Sequence, residues 1–376
     1  MNKIVFYQNI VTPYRIELFN YFHNISLVKG FAFDVFFSRL SKKNRFLPFD
    51  LASVRFNHYF SKFILGLPFR NNFFVFDFSF ILFVFKQNKN TFVMLGSSWN
   101  DLSILFLAIF KRLGFINATL CLWVEANYLT KRELRGRSAL FIRFRYFIIN
   151  SFSDLCIPGI ISLKSLEMWG LSHKNIHYLP NLINPDKVSN LTFSKKFRSK
   201  PYNFITIARF TESDKGLCNL LRVLNRENFN FFHWTIIGDG PDRYSFEVLI
   251  DKLGISSSVS ILGNRPRDFV IESLMNADVF LLPSLSDPNP ISVVEALKSG
   301  LPLLVSNRIG NLHEALSEGV NGYSFDPLSA SSVNNAFSSL FAHTSLSSLS
   351  SNSKLIFNKN FNIEVSINSF LDSINL

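Results

Sequence analysis

The sequence predicts an α/β protein of two Rossmann-like domains, each built on a parallel sheet, facing one another across a cleft. Apolar runs of strand length alternate with helix-length segments from end to end, the pattern of successive βαβ units. The 376 residues are enough for two domains that each bury a core of their own. The polar, basic stretch Ser194–Lys200 reads as a linker between the two series of runs. The domains predicted are residues 1–185 and 200–360, with a closing segment at 361–376.

In the first half the strands fall at Lys3–Tyr7, Phe33–Phe37, Thr91–Leu95, Thr119–Val124, Leu155–Ile157 and Ile176–Leu179. Helices fill the gaps, for example Leu102–Leu113 and Ser138–Asn150. The second series starts near Asn203 and runs through Trp234–Ile237, Ile261–Gly263, Val279–Leu282 and Pro302–Ser306. Ser329–Lys354 is Ser-rich and reads as a mixture of helix and loose surface chain. Ligands of open parallel sheets sit at the carboxyl ends of the strands, so two such sheets would hold donor and acceptor between them.

The most informative stretch is Leu281–Gly300, LLPSLSDPNPISVVEALKSG. A buried strand is broken by Pro283-Ser284 into a loop carrying Asp287. Asn289 as N-cap and Pro290 at the first helical position then start a helix through Ile291, Ser292 and Glu295. Its first turn offers unpaired N–H groups and the positive end of a dipole, which suits a diphosphate. Glu295, just over a turn in, can accept from vicinal hydroxyls such as a ribose diol, and Asp287 can reach a second polyol. Taken alone, the same carboxylates also fit a turn residue and a solvated helix position.

This stretch resembles the donor-site signature of family 4 of the glycosyltransferases, retaining enzymes of the GT-B fold. Pro283-Ser284, Asp287-Pro288 and Glu295-Ala296 keep the register of that signature. Two departures are Asp287 in place of Glu, which sets the carboxylate about one methylene further from a sugar hydroxyl, and Asn289-Pro290 in place of Phe-Gly. The resemblance extends to Ile205–Arg209 with Lys215-Gly216, whose Arg and Lys in the family neutralise the diphosphate. Fixed cations stabilise the charge that builds on a departing nucleoside diphosphate, Arg through a planar fork and Lys as a point charge. Gly238-Asp239-Gly240 is similar to the family's donor-site turn, and Ile261-Leu262-Gly263 to the strand whose loop cups the base. Gly310-Asn311, Glu314 and Asn321-Gly322-Tyr323 match its closing landmarks. Pro180–Pro185 resembles the turn that ends its first domain, and the resemblance implies that Phe361–Leu376 is a helix crossing back onto that domain.

The acceptor side is less explicit. Thr12-Pro13-Tyr14-Arg15 follows the first strand, where many family members carry Gly-Gly, and reads either as an acceptor loop bearing Thr12 and Arg15 or as a helix start. Glu125, at the end of Thr119–Val124, is the candidate first-domain catalytic carboxylate, since burying one there otherwise costs free energy. An ion pair with Arg132, Arg135 or Arg137 is the competing account. Trp99 is either a sugar-stacking wall or a core residue.

Residues 1–190 hold 23 Lys/Arg against 10 Asp/Glu, and residues 191–376 hold 16 against 17, so the whole net charge of +12 lies in the first half. A one-sided basic domain fits an anionic partner, a phospholipid surface, a lipid-linked phosphate or, weakest because no nucleic-acid module is recognisable, nucleic acid; a solvated basic face with no specific partner is the competing account. Lys131, Arg132, Arg135, Arg137, Arg143 and Arg145, interleaved with Leu140, Phe141, Phe144 and Phe147, suit an amphipathic face that docks on anionic lipid. The longest apolar run, Phe73–Phe85, contains Asp77 and is too short for a bilayer span of about 20 residues. Lys3–Tyr7 reads as a buried strand rather than a targeting segment. Cys121, Cys156 and Cys218 fit reduced, buried thiols in a cytoplasm and no metal site; the expected location is cytoplasmic, peripherally associated with the inner face of the membrane.

The expected function is transfer of a sugar from a nucleoside-diphosphate sugar to a lipid-linked or oligosaccharide acceptor in bacterial surface polysaccharide or lipopolysaccharide synthesis, and the family resemblance implies that transfer proceeds with retention. Catalysis falls to Arg209, Lys215, Asp287 and Glu125. The donor is held by Gly238, Asp239, Gly240, Asn289, Pro290, Ile291, Ser292 and Glu295. No cofactor or metal is expected, because no Asp-x-Asp motif lies in a donor-site context and the two cations can substitute. The alternatives are a nucleotide-sugar epimerase or hydrolase of the same fold, or a degenerate, membrane-docked subunit of a polysaccharide assembly.

Overall fold

A computed structural model of the chain describes residues 2–39, 53–69, 72–96, 101–130, 136, 139–171, 175–183, 200–343 and 345–376. Trp99, the cluster Lys131, Arg132, Arg135 and Arg137, Asn184-Pro185 and the linker before Lys200 lie outside the described residues.

The first half contains β1 (Lys3–Ile10), α1 (Pro13–Lys29), β2 (Ala32–Arg39), β3 (Asn57–Phe60), β4 (Ile64–Phe69), β5 (Asn72–Asp77), α2 (Phe78–Phe85), β6 (Thr91–Gly96), α3 (Leu102–Arg112), β7 (Thr119–Trp123), α4 (Ala139–Ile149), β8 (Asp154–Ile157), α5 (Ile160–Met168) and β9 (Asn175–Tyr178). Seven strands form a parallel sheet in the order β3-β2-β1-β6-β7-β8-β9, while β4 and β5 make a separate antiparallel ribbon. Strand order reverses beside β1, which opens a crevice at the carboxyl ends of β1, β6 and β7. Phenylalanine fills this core: Phe6, Phe19, Phe22, Phe33 and Phe37 are all buried, and Phe22 stacks on Phe33.

The apolar run at Phe73–Phe85 divides into β5 and α2 because buried Asp77 is the N-cap of α2, accepting from the Phe80 N–H at 3.0 Å and the Ser61 hydroxyl at 2.6 Å. Among the described residues no helix is long and apolar enough to cross a membrane.

The second half contains β10 (Tyr202–Ile207), α6 (Glu212–Lys215), α7 (Leu217–Val223), β11 (Phe232–Ile237), α8 (Arg243–Leu253), β12 (Val259–Ile261), α9 (Arg267–Asn276), β13 (Val279–Leu282), α10 (Ile291–Lys298), β14 (Leu303–Ser306), α11 (Leu312–Ala315), β15 (Gly322–Phe325), α12 (Ala330–Ala342), α13 (Leu346–Asn360) and α14 (Ile363–Ser373). Its six strands are parallel in the order β12-β11-β10-β13-β14-β15, with the switch point between β10 and β13.

The Ser-rich segment is not loose chain. Ser329 and Ser345 cap α12 and α13, and Ser350 and Ser353 are buried where their hydroxyls donate to the carbonyls of Gly300 (2.6 Å) and Leu301 (2.8 Å). Small side chains let α13 approach closely while satisfying carbonyls at the end of α10. The last helix, α14, lies on the first sheet: Phe370 packs edge-on against Phe22 and Phe92, and Ser373 hydrogen-bonds His177 at 2.8 Å.

Three members of the expected amphipathic face, Phe144, Arg145 and Phe147, turn inward on α4. Arg145 is buried with its guanidinium 3.8 Å from the Trp169 ring, and Phe144 and Phe147 pack against the core. Ala139, Leu140, Ile142, Arg143 and Tyr146 are the exposed residues, because a helix on a sheet turns one stripe inward whatever its sequence labels as basic.

Candidate active site

The second-half site is built on two loops at the switch point. After β10, the Ala208 N–H donates to Ile237 O at 3.1 Å and the Phe210 N–H to Asp239 O at 3.1 Å, so residues 208–210 lie flat against the turn that follows β11. That contact explains Gly238 and Gly240: a Cβ would stand 2.0 Å from Ala208 O at the first and 2.3 Å from Phe210 O at the second. Arg209 is exposed on this double loop, and its guanidinium has no hydrogen bond or ion pair with any described residue. Asp239 is instead engaged by Arg243 at 3.2 Å.

Lys215 ends α6, and Asp287 follows β13. Two backbone bonds dock their loops, from the Leu285 and Ser286 N–H groups to Asp214 O at 2.8 and 3.0 Å. Lys215 Nζ then pairs directly with the Asp287 carboxylate, their side chains being only 20% and 10% exposed. The sequence named both residues without pairing them. One ammonium donor is committed here, and two remain for a ligand.

The expected Asn289 cap is not formed. Pro290 itself occupies the N-cap position of α10 in extended backbone, no side chain caps the helix, and Asn289 Oδ1 is buried without a partner. The Pro290 carbonyl accepts from Asn311 Nδ2 at 3.1 Å. The first turn of α10, from Ile291 and buried Ser292, therefore keeps N–H groups without a side-chain cap.

Glu295 is half-buried one turn further on. Arg267 stands between it and the first half, with Nη1 3.9 Å from Glu295 and Nη2 3.1 Å from Glu17 of α1. Burial pushes the Glu295 carboxyl above its ordinary range; Arg267 partly offsets this and Glu17 adds to it.

Across the cleft, Glu125 follows β7. Among the described residues its partners are Asn181 Nδ2 at 3.2 Å and Arg15 Nη2 at 3.5 Å. Arg15 is buried, 4.1 Å above the Trp123 ring, and its Nε and Nη1 have no hydrogen-bond partner. Thr12 is buried too, with its carbonyl accepting from the Arg15 and Ile16 N–H groups. The Thr12–Arg15 segment is thus a helix start. Arg15, at the third position of α1, is held between the Trp123 ring and Glu125.

Three further residues enter the site. Asn127 donates across the cleft to the carbonyls of Asp287 (3.3 Å) and Arg308 (3.2 Å). Gly310 passes so close to the Asp287 loop that a Cβ would lie 1.6 Å from Pro288 O. Glu314 reaches the other half, accepting from the Ile160 N–H at 2.7 Å. Gly310 and Glu314 were legible as landmarks, whereas Asn127 and the Glu17–Arg267 contact carried no local signal. Among the described residues, no group of three or more His, Cys, Asp or Glu side chains could hold a metal ion.

The chain is similar to known proteins in fold and in part of its sequence. Its whole length superposes on the Anabaena protein HepE, solved with UDP and glucose, with a TM-score of 0.69 at 15% identity and full coverage of both chains. The lipopolysaccharide outer core galactosyltransferase WaaB gives 0.70 at 16% identity, covering 99% of each chain. The fold is GT-B. Residues 188–354 match the family model of glycosyl transferases group 1. Among curated relatives, an uncharacterized glycosyltransferase of Methanocaldococcus jannaschii is 27% identical over 60% of this chain. The amylovoran biosynthesis glycosyltransferase AmsK of Erwinia amylovora is 30% identical over 38% of it. The chain spans 57% and 36% of the lengths of these two relatives.

Proposed function

We propose that the protein is a retaining family 4 glycosyltransferase that moves a sugar from a nucleoside-diphosphate donor to a lipid-linked or oligosaccharide acceptor in bacterial surface polysaccharide or lipopolysaccharide synthesis. The observation that carries this is the Lys215–Asp287 pair at the GT-B switch point, with Arg209, which pairs with no described residue, on the neighbouring double loop. The names of the relatives support the same class, since they include an amylovoran glycosyltransferase and a lipopolysaccharide 1,6-galactosyltransferase.

In this reading Arg209 and the remaining donors of Lys215 stabilise the departing diphosphate, aided by the uncapped first turn of α10. Glu295 accepts from the ribose diol, Asp287 from the donor sugar, and Glu125 faces the transferred sugar from the first half. The bond from the anomeric carbon to the diphosphate breaks, the bond to the acceptor oxygen forms on the same face, and the leaving diphosphate takes the acceptor proton. UDP is the first nucleotide to test, because HepE was crystallised with it.

The basic first half would hold the enzyme on anionic lipid. Exposed Phe63, Leu65, Phe78, Leu82, Leu113 and Phe115, on the β4–β5 ribbon and around α2 and α3, supply the apolar component. Co-sedimentation with anionic but not zwitterionic vesicles is expected, and no binding to either would remove this part.

Ligand-observed NMR against UDP-, GDP-, dTDP- and ADP-sugars tests the core of the reading. Binding of one class, lost in Arg209→Ala and Glu295→Ala, is expected. No binding to any of them would favour a degenerate subunit.

A further inference from the structure

Asn127 lies two residues after Glu125, yet its side chain works in the other half of the molecule. It is 3% exposed, and both ends of its amide are used. Nδ2 donates to Asp287 O at 3.3 Å and Arg308 O at 3.2 Å, and Oδ1 accepts from the Leu129 N–H at 2.9 Å. The two carbonyls belong to adjoining loops, since the Gly310 N–H also donates to Asp287 O at 2.9 Å. The amide therefore straddles the junction that sets the Asp287 backbone.

Its own side is equally fixed. The Ala126 carbonyl accepts from the Ser162 hydroxyl at 2.9 Å, and the Tyr128 N–H donates to the Ser165 hydroxyl at 3.0 Å, so the segment is strapped to α5 before and after Asn127. A primary amide is the group that fits: two donors meet two carbonyls while its oxygen caps its own turn. Aspartate would set an acceptor against acceptors.

We propose that Asn127 is a positioning residue that fixes Asp287 relative to Glu125 when the two halves are closed, and so governs recognition of the donor sugar rather than of the nucleotide. This rests on the glycosyltransferase reading of the same site. The carboxylates on the two sides of the cleft are then registered through a single two-residue spacing in the segment that follows β7, and a closed cleft is needed for Asp287 to be held correctly.

The test uses the full chain with Asn127→Ser and Asn127→Asp. Calorimetry would measure affinity for UDP and for UDP-glucose, or for whichever nucleotide and nucleotide sugar the wild type binds, with thermal midpoints alongside. Two lost hydrogen bonds predict that the advantage of nucleotide sugar over free nucleotide falls about tenfold or more, while affinity for the nucleotide changes less than about twofold. Asn127→Asp should be the more severe. Equal weakening for both ligands would reduce Asn127 to a structural contact and overturn the proposal, as would unchanged discrimination. If one variant fails to fold, the other still reads the ratio. A wild type that binds no nucleotide sugar would instead overturn the underlying reading, and this inference with it.

Discussion

Replacing Lys215 by Met tests the centre of the site without any assumption about its ligand. Asp287 has no ion-pair partner among the described residues other than Lys215, and its side chain is 10% exposed. Removing one member of a buried pair costs about 3–5 kcal/mol; with Lys215 20% exposed, about 2–4 kcal/mol is the better expectation here. For a cooperative unit the size of the second half, that lowers the thermal midpoint by roughly 5–12 °C. Asp287→Asn should cost less, about 1–2 kcal/mol, because the lysine stem lets its ammonium turn to water. The double variant leaves no buried charge unpaired, so it should be more stable than the sum of the singles predicts, by about 1–3 kcal/mol. Thermal unfolding of all four proteins at pH 7, at low and high salt, measures the cycle. A Lys215→Met midpoint within about a degree of wild type, or strict additivity, would refute the pairing.

Gly310→Ala forces Pro288 O to retreat by more than 1 Å beside Asp287, so a loss of about 1–3 kcal/mol and weakened nucleotide-sugar binding are expected by calorimetry. Burial raises the Glu314 carboxyl above its ordinary value of 4.5, only partly offset by the Ile160 N–H. An acid whose folded-state pKa is raised loses stability as pH climbs from its unfolded value through the folded one, so Glu314→Gln should gain on wild type as pH rises above the ordinary carboxylate range in urea titrations. All three cysteines are free and buried, with Cys218 pushed up to about 12 by burial and Glu212, so the native chain should leave a thiol reagent unconsumed at neutral pH until denaturant is added.

Much of the second sheet was legible, and Val279–Leu282 has the boundaries read from its apolar run. Strands buried on both faces announce themselves as continuous hydrophobic runs. Asn57–Phe60 did not, because it is an edge strand with mostly exposed side chains, and the β4–β5 ribbon was hidden inside a phenylalanine-rich run. The serines of α13 read as loose chain because serine has low helix propensity; tertiary contacts to Gly300 and Leu301 override it.

The sequence by itself determined that two parallel sheets form, and which acids and cations stand at the ends of their strands. Periodicity, turn residues and short motif spacings are local, so they can be read along the chain. Only the tertiary structure decided who meets whom: Lys215 with Asp287 across 72 positions, Asn127 with Asp287 across 160, Glu17 with Arg267 across 250, and Arg15 with Glu125. Those pairings depend on how loops from different strands pack at the switch points and across the cleft. No local pattern encodes that geometry, because it is set by the joint packing of elements far apart in the chain.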